Sequence, residues 1–393
     1  MSEPENRQED LLRLGILAVV RFLTLAALPI DAILGYGDYL HFFNLAEFST
    51  LGAGLPWLGH WVEFPPLFPF LSIGIHGASG GSPHGYAYLL ALLMLAFDLG
   101  NLWLVGSLSK KFWDARKAAM VAWVYMGFLA IPAFGWWTFD PMAVFFLLLA
   151  LSAFYQSRPY LSGVAAGVGA LVKVFPLLPL VLFWRFKPSR EILVSSGLTA
   201  AILVVSLAPF FVAEPDMAVA SLRSQASKGS WETVWALIDG NDDRTGTFGA
   251  LEERLDPGAA SEPRGNAAVV PTVVPALVAL GIGAWTVFRA RDDDPRAPTA
   301  LLGLLLCLVY LASPGWSPQW LAYLIPLVLL SLAMRRAALF SVSLALVALL
   351  EWPILLSRGR FDLLALPVLL RTLIMILLAI ELYVIASRRR EMA

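Results

Sequence analysis

Long runs of apolar residues recur along the whole chain, and they limit most strongly what it can fold into. A helix that crosses a lipid bilayer needs about 20 mostly apolar residues. Runs near that length, or somewhat shorter, occupy residues 12–34, 85–108, 118–134, 138–155, 192–212, 269–288, 299–312, 319–334, 337–356 and 361–386. This pattern predicts an all-α polytopic membrane protein.

The composition agrees and excludes several other classes of protein. Hydrophobic residues make up 59% of the 393 residues and charged residues 15%, whereas soluble domains have about 45–50% and about 25%. No basic patch of the kind that binds nucleic acid is visible. The single cysteine, Cys307, has no partner for a disulfide or a cysteine metal site. The acidic N-terminus lacks the basic start of a cleavable signal peptide.

Residues 160–184 determine how the chain is threaded through the membrane. As one span they give about 11 transmembrane helices, and as a hairpin of two half-helices they give about 12. Cytoplasmic loops carry an excess of lysine and arginine. With a cytoplasmic N-terminus, only the hairpin puts most of the later basic clusters on that side. Because Pro176 also interrupts the helix just after Lys173, we predict a short re-entrant hairpin with Lys173 at its apex.

This threading leaves two long polar segments on the extracytoplasmic side. They are a first outer loop, residues 35–84, and a second outer loop, residues 213–268, which has ten acidic and five basic residues. Residues 217–237 either lie along the interface and help to bind an acceptor, or belong to a partly disordered acidic loop. We divide the chain into a transmembrane module over 1–212, the second outer loop, and C-terminal helices over 269–393.

Two carboxylates of the first outer loop, Asp38 and Glu63, are candidates for chemistry. Apolar residues follow Asp38 at near-helical spacing, which indicates an amphipathic helix in the membrane interface: Leu40, Phe43, Leu45 and Phe48. Glu63 precedes a Pro-Pro turn, and the apolar run 67–75 after it is too short to span, so we predict a second interfacial segment there. The alternative for both acids is that they are solvated loop residues.

The order of several short motifs resembles the GT-C superfamily of polyprenyl-phosphate-sugar-dependent integral membrane glycosyltransferases, in its bacterial mannosyltransferase-like branch. Those motifs are Asp38-Tyr39, Gly-Leu-Pro56, Glu63-Phe-Pro-Pro-Leu, Asp140 at the start of a span, Lys173-Val-Phe-Pro176, and the segment 313–320 before another span. Three details depart from the family. Phe64 and Trp57 stand where tyrosine is common, and the glutamine of a Gly-Gln-x-Asp motif is missing before Asp140.

The resemblance implies a GT-C-like bundle in a bacterial plasma membrane that transfers a sugar, expected to be mannose. The donor would be a polyprenyl-phosphate sugar and the acceptor an extracytoplasmic glycolipid or polysaccharide, with membrane lipids as further partners and no nucleic acid. Relatives place a general base in the first outer loop, and Asp38 matches that position. Glu63 and Asp140 are supporting acid candidates. An inverting displacement needs such a base to accept the proton of the acceptor hydroxyl.

A phosphate that leaves during the reaction needs cationic groups nearby. Lys173 is one candidate, and Arg358 and Arg360 are others because the predicted threading puts them on the outer side as well. Contacts with donor or acceptor are expected from residues in or near the motifs: Tyr39, His41, His60, Trp316 and Gln319.

Several of these residues also have a simpler structural interpretation. Asp140 precedes Pro141, as an N-cap residue precedes a proline at the first helical position. Glu63 can anchor the Pro-Pro turn, and Lys173 can be one half of a buried ion pair. Other charges inside the spans are given no catalytic role: Arg21 and Asp98 form a structural pair or line a cavity, and Arg371 either reaches lipid phosphate or pairs with Glu381 by way of water.

The four histidines His41, His60, His76 and His84 all lie in the first outer loop. Together with Asp38 and Glu63 they suggest a metal site, but their spacing matches no zinc pattern. We therefore assign no metal ligand. Some relatives need a divalent cation, so Mg²⁺ or Mn²⁺ stays an alternative, and no other cofactor is expected.

Two non-enzymatic functions compete with sugar transfer. A lipid-linked glycan flippase or a secondary transporter also uses broken helices and midplane charges, but transporters commonly contain matching repeats. The outer loops of this chain are unequal and the broken element occurs once. A structural scaffold leaves the intramembrane charges unexplained. The sequence therefore favours an enzyme.

Overall fold

The computed structural model describes residues 3–131 and 138–388, and all regular secondary structure in those ranges is helical. Seventeen α-helices are present there. They are α1 Glu3–Ala27, α2 Ile30–Tyr36, α3 Tyr39–Phe48, α4 Leu67–Ala78, α5 Pro83–Phe112, α6 Ala115–Ala130, α7 Asp140–Tyr155, α8 Pro159–Ala170, α9 Leu180–Phe186, α10 Ser189–Ala213, α11 Pro215–Ser227, α12 Val234–Asp239, α13 Val273–Arg289, α14 Ala297–Ala312, α15 Leu321–Ser331, α16 Met334–Leu349 and α17 Ala365–Ser387.

Four helical segments of the described residues are long and apolar enough to cross a membrane: Pro83–Phe112, Ser189–Ala213, Met334–Arg358 and Phe361–Ser387. Shorter apolar helices accompany them: Leu67–Ala78, Asp140–Tyr155, Phe175–Phe186, Val273–Arg289, Ala297–Ala312 and Pro318–Ser331. The prediction of an all-α polytopic membrane protein is confirmed. The total of about 11–12 spans stays a prediction.

The first helix differs from its predicted bounds. We predicted a span over residues 12–34, but α1 covers Glu3–Ala27, and a separate short helix follows Pro29. A proline inside a helix removes a hydrogen bond and clashes with the preceding turn, so the helix ends before it. Two acidic residues attach the polar first turns of α1 to the neighbouring helices. Asp10 accepts a hydrogen bond from Lys110 Nζ (2.5 Å), and Glu9 accepts one from Trp123 Nε1 (3.1 Å).

The most deeply buried helices are α7, α14 and α15, in which most side chains have almost no solvent exposure. Helices α10 and α13 lie at the periphery and leave large apolar side chains uncovered, such as Leu193 at 72% and Leu280 at 68% exposure. An exposed apolar surface of this kind is what a lipid environment solvates. The layering therefore fits a bundle that is embedded in a membrane.

Buried charges within the bundle are paired. Arg21 and Asp98 form the predicted salt bridge. Arg371 pairs with Glu351, whereas Glu381 binds Arg336 at 2.6 Å. The predicted alternative of an Arg371–Glu381 pair is therefore wrong. Pairing is expected because an isolated charge in a low-dielectric interior costs several kcal/mol.

Residues 160–184 form the predicted hairpin. Helix α8 starts beside the end of α7, and the chain then brings Lys173 Nζ to within 2.6 Å of Asp140 Oδ1 at the start of α7. A 3₁₀ turn over Phe175–Leu177 and α9 return the chain, so that Lys187 Nζ donates to Ser157 Oγ at 2.8 Å. Gly169 permits the reversal, since a Cβ there would lie 2.5 Å from Pro176 Cβ.

Helix α3 is the predicted amphipathic helix, but its buried face differs from the predicted stripe. Phe43 and Leu45 of the predicted stripe are buried, together with Tyr39, Phe42 and Ala46, whereas Leu40 is 42% exposed. Because an α-helix has about 3.6 residues per turn, positions i, i+3, i+4 and i+7 lie on one face. Counted from Tyr39, these positions form the buried face. The run 67–75 lies within α4, and an interfacial position of both helices stays a prediction.

The two outer loops pack against each other. Trp61 donates from its backbone to Arg254 O (3.0 Å) and from its indole to Asp256 O (3.1 Å), and Gln225 Nε2 donates to Glu63 O (2.8 Å). Residues 213–268 contain α11, α12 and two 3₁₀ turns. The structure therefore disagrees with a partly disordered loop, whereas a position along the interface and a role in acceptor binding stay predictions.

Candidate active site

Asp38 lies where α3 begins and has a carboxylate with no bond to its own helix. Its backbone oxygen accepts from Phe42 N–H (2.9 Å), but its side chain forms no cap. Within the described ranges, this partly exposed carboxylate has no hydrogen-bond or ion-pair partner. The charges that act on it belong to His41, Lys173, Asp140 and Lys228. It is thus a carboxylate without a described partner that is within electrostatic reach of charged groups on α3, at the start of α7, at the apex of the hairpin and at the end of α11.

Asp140 and Lys173 form a partly buried ion pair whose charges both act on Asp38. Lys173 Nζ and Tyr323 OH each donate to Asp140 Oδ1 at 2.6 Å, and the ammonium lies 5.0 Å from the centre of the Phe139 ring. Because the Asp140 side chain makes no cap to α7, the N-cap interpretation is wrong. The interpretation of Lys173 as an ion-pair partner is confirmed, and it is compatible with a role towards a ligand.

Lys228, at the end of α11, supplies a second cation. No hydrogen-bond or ion-pair partner for its ammonium occurs among the residues that the structure describes. It lies over the rings of Trp231 (5.3 Å) and Phe248 (4.6 Å). Burial lowers the pKa of Lys228, and Arg254 and Lys173 lower it further, against the opposing effect of Glu63 and Asp38. This ammonium is therefore available to an anionic ligand.

Glu63 connects the two outer loops through a bidentate ion pair. Arg254 Nη1 and Nη2 donate to its two carboxylate oxygens at 2.5 and 3.2 Å, and the guanidinium stacks on Trp61 at 4.6 Å. His41 Nε2 lies 2.9 Å from Glu63 Oε1. Such a fork fixes geometry as well as charge. Glu63 therefore positions His41, which lies one turn after Asp38 on α3.

Electrostatics separate the two acids of the first outer loop. Burial raises the pKa of the Asp38 carboxyl, and although His41, Lys173 and Lys228 lower it, the net direction is upward. Burial also raises the pKa of Glu63, but Arg254 and His41 outweigh it and hold that pKa well below its ordinary value. Two carboxyls pushed apart in this way commonly have different roles in catalysis. Asp38 is the better proton acceptor, and Glu63 stays ionised.

A comparison with known protein families identifies the chain. The model of glycosyltransferase family 87 matches residues 64–314, which is more than half of the sequence. The chain belongs to glycosyltransferase family 87. A search of curated proteins and a search of solved structures each found no match. The matched region includes Asp140, Lys173 and Lys228, whereas Asp38 and Glu63 precede it.

The structure gathers some of the predicted site residues of this glycosyltransferase and separates others. Asp38, His41, Glu63, Asp140 and Lys173 lie together, as described above. Tyr39 is fully buried, and the charges that act on it come from Arg21, Tyr86 and Asp98, away from that group. His60 is buried against Phe48, with ring centres 5.3 Å apart. These two residues stay predicted ligand contacts without geometric support.

The predicted outer arginines do not reach the group around Asp38. Arg358 is exposed, and Arg360 is exposed and bonds to Asp362 at 2.7 Å. Gln319 lies in a 3₁₀ turn before α15, and Trp316 packs under Arg371 with its ring 4.5 Å away. Lys228 takes the position near Asp38 that Arg358 and Arg360 were expected to occupy.

Four polar residues near the site were missed by the sequence analysis: Lys228, Glu232, Arg254 and Tyr323. The first three lie in the acidic second outer loop, where no motif distinguishes them from other charged residues. One signal in the sequence could have pointed to Lys228 and Arg254. They are two of only five basic residues in an acidic loop. Tyr323 lies inside an apolar span, where a tyrosine is unremarkable in sequence.

The predicted histidine cluster is dispersed. His41 binds Glu63, His76 packs on Phe43 with centres 5.0 Å apart, and His84 binds Asp31 at 2.7 Å. Over residues 3–131 and 138–388, no group of three or more metal-ligating side chains is arranged around a common point. The alternative of a divalent cation therefore has no assigned ligands here.

Proposed function

We propose that this glycosyltransferase moves a sugar, mannose, from a polyprenyl-phosphate donor to a hydroxyl of an extracytoplasmic acceptor. The transfer is a single inverting displacement in which Asp38 is the general base. The observation that carries the proposal is the unpaired Asp38 carboxylate beside the ammonium groups of Lys173 and Lys228. A base and a cationic site for a leaving phosphate are the two groups that this chemistry requires.

The bonds change in one step. The acceptor oxygen attacks C1 of the sugar, the bond from C1 to the phosphate oxygen breaks, and its electron pair leaves with the phosphate. Asp38 accepts the proton of the attacking hydroxyl. Its raised pKa makes it a stronger base than an ordinary aspartate, and the nearby cations still favour the ionised form that accepts a proton.

Lys173 and Lys228 stabilise the leaving phosphate in different ways. Asp140 already neutralises much of the Lys173 charge through its 2.6 Å ion pair, so Lys173 is held in place and donates hydrogen bonds. Lys228 has no such partner and contributes a full positive charge. With these ammonium groups facing the leaving group, the proposal needs no divalent cation, and Mg²⁺ or Mn²⁺ stays an alternative.

The location and partners belong to the same proposal. The apolar bundle lies in a bacterial plasma membrane, with the N-terminus in the cytoplasm and Asp38 on the outer side. The donor and a glycolipid or polysaccharide acceptor meet there. The packing of the two outer loops supports this placement, because it holds Glu63 and Arg254 together within the polar segments that also contain Asp38 and Lys228. The family favours this enzyme over a flippase or transporter.

Donor selection is the first test. Purified protein in lipid nanodiscs, given an acceptor extract from the native membrane, is expected to transfer mannose from polyprenyl-phosphate mannose but not from GDP-mannose. The physical reason is that a lipid-linked donor presents its sugar at the membrane surface where Asp38 is placed. Radiolabel in the acceptor fraction measures transfer. Label from the nucleotide sugar alone would contradict the proposal, and polyprenyl-phosphate glucose tests the choice of sugar.

Lys228 is expected to influence the pH at which kcat/KM falls on the acid side, through its effect on Asp38. The ammonium lowers the pKa of Asp38, so Lys228→Met raises that pKa, and kcat/KM is expected to fall at a higher pH than in the wild type. Asp38 must be ionised to act, which fixes the sign of the shift. The KM for the donor is also expected to rise. The exposed Arg223→Met on the same helix is the control, and an unmoved acid limb in Lys228→Met would refute this role.

A further inference from the structure

A second polar cluster lies next to the proposed active site, where the second outer loop meets residues 314–316. Trp231 N–H donates to Pro314 O (3.1 Å), Trp316 N–H donates to Trp231 O (3.3 Å), and Thr233 Oγ1 donates to Pro314 O (2.8 Å). Gly315 is needed there, because a Cβ would lie 2.1 Å from the Trp231 ring. This docking holds Glu232 in a fixed position.

Glu232 has an unusual backbone conformation. Its φ of 54° lies in the left-handed region, which a residue with a side chain adopts only when surrounding contacts impose it. Its carbonyl oxygen accepts a hydrogen bond from Arg371, and its side chain is 3% exposed. Strained residues of this kind cluster at ligand sites, so the Glu232 side chain has a stronger claim to function than an ordinary loop acid.

Arg371 joins Glu232 to two further groups. Its guanidinium pairs with Glu351 and lies 4.5 Å over the Trp316 ring. Within the described part of the chain, three buried polar atoms of this cluster have no hydrogen-bond partner: Glu232 Oε2, Glu351 Oε1 and the Trp316 indole Nε1. More than nine in ten buried polar groups in proteins are satisfied. Three exceptions around one arginine indicate a ligand.

The charge of the cluster restricts that ligand. The cluster holds two buried carboxyls and one guanidinium, so full ionisation would leave an uncompensated negative charge in a buried site. Glu351 holds the guanidinium directly, which leaves Glu232 as the carboxyl that keeps a proton. Burial raises the pKa of Glu232 well above its ordinary value, and the charges of Glu351 and Asp38 add to that effect against Arg371. A neutral acid beside a second carboxylate disfavours an anion such as phosphate.

We propose that Glu232, as a neutral carboxylic acid, forms with Glu351 and the Trp316 indole N–H a subsite for the hydroxyl groups of an uncharged sugar ring. The acid and the indole donate hydrogen bonds, and the free oxygen of Glu351 accepts one, which matches hydroxyls that both donate and accept. The charge of Asp38 acts on Glu232, which links this subsite electrostatically to the proposed base. The inference rests on the proposed function, and the sugar belongs to either donor or acceptor.

Substitutions at Glu232 test the subsite through sugar binding itself. Glutamine copies the shape and hydrogen-bonding capacity of the neutral acid, whereas leucine removes both. Methyl α-D-mannopyranoside is expected to raise the thermal midpoint of the wild type and of Glu232→Gln, but not of Glu232→Leu. The exposed Glu252→Leu in the same loop is the matched control. This readout needs no turnover, so it remains informative if the lipid donor proves inactive.

Kinetics then identify which sugar is bound. Glu232→Leu is expected to raise one KM about tenfold, the size of losing a good hydrogen-bonded contact, while Glu232→Gln stays within about threefold. A raised KM for the donor assigns the subsite to the transferred sugar, and a raised KM for the acceptor assigns it to the acceptor. Unchanged KM values and an intact sugar-induced shift in Glu232→Leu would overturn the proposal.

The retained proton has its own signature. A folded-state pKa above the unfolded value of about 4.3 gives stability that is complete below that value and is lost as pH rises through the folded pKa. The thermal midpoint of the wild type is therefore expected to fall with rising pH more steeply than that of Glu232→Gln. The proposal is wrong if Glu232→Gln loses sugar binding as Glu232→Leu does and the thermal midpoints of the wild type and Glu232→Gln change equally with pH. Glu232 would then be ionised in the folded protein.

Discussion

Replacing Asp38 with asparagine is expected to lower kcat for sugar transfer by a factor of about 10²–10⁴, the usual contribution of a general base. Asparagine keeps the shape of the side chain but does not accept the proton of the acceptor hydroxyl. The Asp38 side chain makes no hydrogen bond or ion pair with the described residues, so the substitution breaks no side-chain contact. The KM for the donor is expected to stay nearly unchanged. Steady-state kinetics in nanodiscs measure both quantities.

The matched control is Glu47→Gln, which removes a carboxylate from the last turn of the same helix. No side-chain bond of Glu47 occurs in the described structure, so this variant is expected to keep the wild-type kcat. Near-normal turnover in Asp38→Asn would remove Asp38 from the mechanism. A loss in both variants would mean that the helix, not its first carboxylate, is what the reaction needs.

The second large effect concerns stability. Arg254→Met is expected to lower the free energy of unfolding by about 3–5 kcal/mol, the cost of leaving one partner of a buried ion pair alone. Glu63 would lose both guanidinium bonds and stay buried, with His41 as its remaining partner. The two outer loops would lose the contact that joins them next to Asp38. Chemical denaturation of the protein in mild detergent micelles, monitored by tryptophan fluorescence, measures the change in the free energy of unfolding.

Two further variants make this prediction specific. In the double variant Glu63→Gln with Arg254→Met, the uncompensated charge is absent, so part of the lost stability is expected to return. Arg264→Met is the control, because the Arg264–Glu253 pair of the same loop is partly exposed, and exposed pairs contribute only about 0–1 kcal/mol. Equal losses in Arg254→Met and Arg264→Met would show that the Glu63 clamp has no special role.

Much of the architecture was predictable because it depends on local patterns. Apolar runs of spanning length determine the helices, and the distribution of basic residues favoured the hairpin whose apex is Lys173. The same segment contains Pro176, and a proline interrupts a helix whether the segment lies in a membrane or in water. The end of the first helix was missed at Pro29 because the apolar run continues beyond it. The proline there overrides the hydrophobic pattern.

The site was only half predictable, since its parts come from distant positions. Asp38, Asp140 and Lys173 carry local motifs, and the structure brings them together. Glu63 and Arg254 are separated by 191 residues, and Arg371 meets the backbone of Glu232 across 139. No periodicity or spacing relates such pairs, because their contact depends on how two loops fold over the bundle. Only the tertiary structure distinguishes them from solvated charges.

The ordering of the second outer loop has a functional consequence. Its acidic composition suggests a solvated segment, yet Lys228, Glu232 and Arg254 all turn inward and are partly or fully buried. The loop thus supplies a clamp for Glu63, and in the proposed mechanism it would also supply the cation that faces the leaving phosphate. The region matched by the family model contains all three residues.

The anomeric configuration of the transferred sugar tests the central claim most directly. A single displacement with Asp38 as base inverts C1, because the acceptor oxygen attacks the face opposite to the leaving phosphate. NMR of the product formed from a donor of known configuration is expected to show the opposite anomer. Retention of the donor configuration would require a second displacement at C1, and it would contradict the mechanism proposed for this site.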